Sequence, residues 1–203
     1  MSLITAIDLA LSAVQLVILL AMAAVVWRGY NLVKSRTLRS LAVGFAMIGA
    51  GVFLLGASAL FSSYAQEAVA LAGTVLQAGG YWSLALSHFY TVRRSMVLAA
   101  LPFPVFQLAF SPYLTLAAAV ANSVVFFLLL YILSETMISF YHDRLPSQLP
   151  PLLGFFLLTI SVYSRLFLSG FASGQLLVEV TSLAGFAVLS GPVLMLMGVR
   201  HRG

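Results

Sequence analysis

The sequence predicts an all-α, polytopic integral membrane protein: one domain, residues 1–203, forming a bundle of seven transmembrane helices. Three observations predict it. Of 203 residues, 62% are hydrophobic and only 7% charged, whereas about 25% are charged in soluble domains. The mean hydropathy is +1.09, and the apolar residues fall into segments close to the roughly 20 residues that a spanning helix needs. Finally, nine of the ten Lys and Arg residues cluster at segment ends, as the positive-inside rule requires.

The seven segments run from Leu3 to Trp27, Leu41 to Tyr64, Ala68 to Val92, Met96 to Phe110, Leu114 to Tyr141, Pro151 to Gly170 and Gln175 to Val199. The first has no Lys or Arg ahead of it, so it is expected to be a retained helix rather than a signal peptide. The second is rich in small residues, with Gly44, Gly49, Gly51 and Gly56, and the third carries Gly73, Gly79 and Gly80. Small residues let helix backbones approach closely where lipid removes the hydrophobic force between them. The fourth is short and holds Pro102 and Pro104, which predicts a kinked or partly re-entrant segment.

Charge placement tests the count, because each added helix flips the side on which the next loop lies. With seven helices Arg28, Lys34, Arg36, Arg39, Arg93, Arg94, Arg144, Arg200 and Arg202 all fall on one side, and only Arg165 is left over. The opposite loops carry no Lys or Arg, which predicts an outside N-terminus and a cytoplasmic C-terminus in a plasma membrane. Leu71-Ala72-Gly73 with Gly79 matches Leu183-Ala184-Gly185 with Gly191, and Gly44-Phe45 matches Gly154-Phe155. A 3+1+3 parallel repeat is the expectation these matches raise.

Several chemistries are excluded. The chain has no cysteine, so it has no disulfide, thiolate metal site or thiol nucleophile. The sole lysine, Lys34, lies outside the apolar segments, which rules out a retinal Schiff base within a span. No zinc-protease, nucleophile-elbow, Walker or dinucleotide motif occurs, and no basic block suggests nucleic acid. The protein is not expected to be an enzyme, and no metal site is expected.

What remains are polar residues that a membrane makes expensive. Helical spacing groups Asp8, Ser12 and Gln15 in the first helix, Gln77, Tyr81 and His88 in the third, Tyr131, Glu135 and His142 in the fifth, Ser161 and Arg165 in the sixth, and Glu179, Ser182 and Ser190 in the seventh. Such stripes turn inward. If the last hairpin turns near Ala172, Arg165 and Glu179 share a depth. A lone charge near the midplane costs at least about 2.5 to 3.5 kcal/mol, so a buried ion pair between Arg165 and Glu179 is predicted, with Asp8 as competitor or third member. That group reads either as a helix-register lock or as a substrate or ion site, with Gln77 and Tyr81 lying between it and an inner layer. His88 and Glu135 form the expected inner layer, a proton relay or a helix-bridging hydrogen bond. His88 and His142 also raise haem b ligation, although His142 reads better as a polar helix end.

The function expected is therefore transport of a small solute, ions or protons through a polar track. The other expectation is a membrane sensor or accessory subunit, of a respiratory or signalling complex, docking a partner protein or a second copy. Arg28, Lys34, Arg36 and Arg39 are expected to meet anionic lipid of the bilayer.

Overall fold

The computed structural model describes residues 3–91, 113–143, 146–168 and 172–199. They form six α-helices: α1 (Leu3–Val33), α2 (Arg36–Ser58), α3 (Ser63–Thr91), α4 (Tyr113–Asp143), α5 (Leu149–Leu168) and α6 (Ala172–Val199), with one short 3₁₀ turn at Pro146–Gln148. The fourth predicted helix, 96–110, lies outside the described residues. Among the described residues, five helices are long and apolar enough to cross a membrane, over Ala6–Val33, Arg36–Ser58, Tyr64–Ser87, Ala119–His142 and Pro146–Phe167, and α6 carries an apolar stretch over Leu177–Pro192. The chain is an all-helical protein of the integral membrane class.

The helix ends extend further than predicted. α1 runs through Trp27 and Arg28 to Val33, and α2 starts at Arg36, so the basic residues ride on helix ends rather than in a loop. Arg and Lys are good helix formers, and an interface imposes no penalty on their charges. The break falls at Lys34, whose φ of 55° ends α1 in the left-handed region, while its backbone N–H still donates to the Tyr30 carbonyl at 2.6 Å. α5 begins ahead of Pro150 and Pro151, which the first helical turn tolerates because its N–H groups have no intrahelical acceptor.

Each described helix packs against its neighbour in sequence, and α6 closes on α1, so the six form a ring. Its interior is filled from every side by Leu19, Ile48, Leu84, Leu129, Leu158 and Phe186. Two seams are unusually tight. Between α2 and α3, a methyl group added to Gly51 would sit 2.5 Å from the Gly73 carbonyl oxygen, and one on Gly80 would sit 2.8 Å from that of Gly44. The same seam is clasped by Ser40 and Ser83, whose hydroxyls donate to each other's carbonyls at 2.7 and 2.8 Å. Between α5 and α6, Gly154 and Gly185 face each other, each a methyl's width from the other's carbonyl.

These seams give the expected repeat no support. The sequence match equates Gly44 with Gly154 and Gly73 with Gly185, yet Gly44 packs on Gly80 while Gly154 packs on Gly185. The two hairpins are therefore set about two turns apart in register. Small residues recur in membrane helices because close packing calls for them anywhere.

Gly51→Ala should lower the thermal unfolding midpoint in detergent, because the methyl meets backbone that cannot move aside, a cost of about 1 to 3 kcal/mol for overpacking. Gly191, with nothing within 4 Å of an added methyl among the described residues, provides the control: Gly191→Ala should leave the midpoint unchanged or raise it slightly.

Candidate functional site

Four helices contribute polar side chains to one layer of the ring. Gln15 of α1 is 1% exposed, Gln77 of α3 is 4% and Tyr81 of α3 is 3%, whereas Asp8, Arg165 and Glu179 are half-buried. Gln77 lies close to the midpoint of the Tyr64–Ser87 span, the part of the bilayer where a polar group is most costly.

Packing brings each of these groups into place. Gly51 makes room for Gln77: a methyl on Gly51 would lie 2.8 Å from both the Gln77 backbone nitrogen and its Cγ. The Ser161 hydroxyl donates across the α5–α6 seam to the Val178 carbonyl at 2.9 Å, which sets the residue next to Glu179 against the helix that carries Arg165. The Glu179 carbonyl accepts the Ser182 hydroxyl at 3.0 Å.

Two contacts cross the ring. The Gln15 side-chain amide donates from Nε2 to Glu179 Oε2 at 3.1 Å and to the Glu179 carbonyl at 3.4 Å. The Arg165 guanidinium donates from Nη1 to Gln77 Oε1 at 3.4 Å. Arg165 is also within electrostatic range of Glu179 and of Tyr81, and Asp8 within range of Glu179. Because α4 supplies Val125, Leu129 and Ile132 to the same interior, all fully buried, the polar groups act in an apolar setting where each contact is stronger than in water.

The predicted direct bridge between Arg165 and Glu179 is not made: each turns instead to a glutamine. The reason is helix register. The contacts of Ser161 with Val178 and of Gly154 with Gly185 set Glu179 opposite Ile160, more than a turn deeper than Arg165. A hairpin turning at Ala172 would have made them level. Gln77 bonds Arg165, and Tyr81 lies within electrostatic range of it. No charged residue is fully buried among the described residues.

Gln15 is the contact that sequence reasoning passed over. It was visible on the Asp8–Ser12–Gln15 stripe, but an uncharged amide gave no reason to rank it above the acids. The inner layer is less populated. Glu135 is half-buried on α4 and within electrostatic range of Tyr131, one turn away, while the His88 side chain lies outside the described residues. His142 is exposed in the last turn of α4, the position of a polar helix end, and the haem b expectation goes no further on these residues. Among the described residues no three His, Asp or Glu side chains converge as metal ligands.

Compared with known protein families, curated proteins and solved structures, the chain matches none.

Removing the Gln15 amide leaves a carboxylate without its donor. Gln15→Leu should destabilise the detergent-purified protein by about 1 to 3 kcal/mol. Combining it with Glu179→Leu should cost less than the two single changes added together, by about 0.5 to 3 kcal/mol in a double-mutant cycle read by thermal unfolding.

Proposed function

We propose that this protein transports a small solute, ions or protons across a membrane, through a polar track inside a seven-helix bundle whose fourth span is 96–110, with its N-terminus outside and its C-terminus in the cytoplasm. The observation that carries the reading is the polar layer inside the ring, in which Gln15 meets Glu179 between α1 and α6 and Gln77 meets Arg165 between α3 and α5. Holding these groups in hydrocarbon is expensive, and a helix ring of this size closes readily on Leu, Gly and Ser alone. Polar groups that converge from four helices, with opposite charges close but not joined, suit a site that a passing ion or solute enters by exchanging partners. His88 and Glu135 would continue the track towards the cytoplasm as the relay that takes up or releases protons.

Arg28, Lys34, Arg36 and Arg39 are all exposed at the α1–α2 junction. Trp27 packs at 5.1 Å from the Tyr30 ring, and the Lys34 ammonium lies 5.2 Å from the centre of Tyr30. A basic rim with an aromatic collar is the pattern of a cytoplasmic membrane interface, and it supports both the orientation and an affinity for anionic lipid at this end.

In proteoliposomes, Arg165→Ala and Glu179→Gln should each abolish flux of the transported species while size-exclusion behaviour and expression stay normal. A parallel loss of folding and flux would make the layer a structural lock instead. Replacing Arg28, Lys34, Arg36 and Arg39 together by Gln should strip co-purifying anionic lipid, seen by native mass spectrometry, since each basic residue near an anionic surface contributes about 1 kcal/mol.

A further inference from the structure

The Gln15 amide is half used. Its Nε2 is bonded to Glu179, but its Oε1 has no hydrogen-bond partner among the described residues although the residue is 1% exposed. An amide's two ends share one carbon, so this oxygen lies one amide width from the nitrogen that meets Glu179. A buried acceptor left unpaired costs about as much as the hydrogen bond it forgoes.

Charge is unbalanced at the same place. Glu179 and Asp8 carry two acids within electrostatic range of each other, and Arg165 is the one base that acts on Glu179. The guanidinium is directed to Gln77, so it does not cover the carboxylate. The layer therefore lacks one positive charge, and it lacks a hydrogen-bond donor at the same point.

We infer that this corner of the ring, formed by Gln15, Glu179 and Asp8, is a binding site for a primary ammonium group, the cationic head of a small amine-bearing solute. The inference rests on the reading of the polar layer as a solute site. An –NH₃⁺ group has three donors and no acceptor. The free Gln15 Oε1 and the second Glu179 carboxylate oxygen offer two acceptors to it, and the Asp8 carboxylate adds a negative charge within electrostatic range. The main-chain carbonyl of Glu179 is not a third, because Gln15 and Ser182 already donate to it. A hard metal cation asks for six or more oxygens in a full shell, more than this corner supplies. Arg165, within electrostatic range of Glu179, keeps the site from holding a second cation.

The test uses the full chain in nanodiscs and titrates ethylammonium by calorimetry, with tetramethylammonium, which has no N–H, and sodium as competitors. Saturable ethylammonium binding is expected, little affected by either competitor. Gln15→Met, close in shape but without the acceptor, and Glu179→Gln should each weaken it at least about tenfold, the loss of one charge-assisted hydrogen bond. Asp8→Asn removes the surplus charge from a residue with no side-chain bond to lose, so it should fold normally and also bind less tightly. No saturable binding overturns the inference, as does equal binding of tetramethylammonium or sodium, or full affinity in a folded Gln15→Met protein, where water would be filling the gap. If Arg165→Ala and Glu179→Gln abolish flux while ethylammonium neither binds nor inhibits, the ammonium site fails and transport stands. If ethylammonium binds with the expected pattern to a protein that moves nothing across the bilayer, the site stands and transport fails.

Discussion

The ring of helices closes where Gln15 of α1 meets Glu179 of α6, and most of what is distinctive in this protein depends on that contact. Elsewhere the helices follow one another around the ring by chain connection or by close backbone approach. At the closing seam the chain's two ends meet, and the polar bond there is an amide donating to a carboxylate. A charge-assisted bond in an apolar surrounding is strong, and leaving either partner alone in hydrocarbon is costly. Ring closure and the transport proposed above thus draw on the same pair of side chains.

The glycine seams serve that contact indirectly. Gly51 and Gly73 bring α2 and α3 so close that Gln77 is pressed against the Gly51 backbone, and from there its side chain meets Arg165 of α5. Gly154 and Gly185 do the same for α5 and α6, with Ser161 pinning the register at Val178. Lipid supplies no hydrophobic force between helices, so van der Waals contact between backbones and a few hydrogen bonds decide where each helix stops sliding. A shift of one turn along either seam would bring different residues together in the layer.

The layer is also incompletely matched, with Gln15 Oε1 unpaired among the described residues. A lock would join Arg165 to Glu179 directly and use every donor and acceptor. Here the two charges feel each other without touching, each occupied by a neutral glutamine. Exchanging a glutamine partner for a ligand costs less than breaking an ion pair, because an uncharged amide is easier to leave exposed or rebond.

Composition and periodicity alone were enough to determine the class: scarce charge, long apolar segments and clustered basic residues leave only a helical membrane protein, since hydrocarbon forces every backbone group to be satisfied within its own helix. They also picked out Asp8, Gln77, Tyr81, Arg165 and Glu179 as inward-facing, because helical spacing is a local property. Which of these touch was decided only by the tertiary structure. Depth estimated from the assumed centre of a turn placed Arg165 level with Glu179, and the packed register of α5 on α6 moved them more than a turn apart. Gln15 acquired its role in the same way. Its importance lies in meeting a residue 164 positions away, and neither the spacing of its own helix nor its lack of charge contains that information.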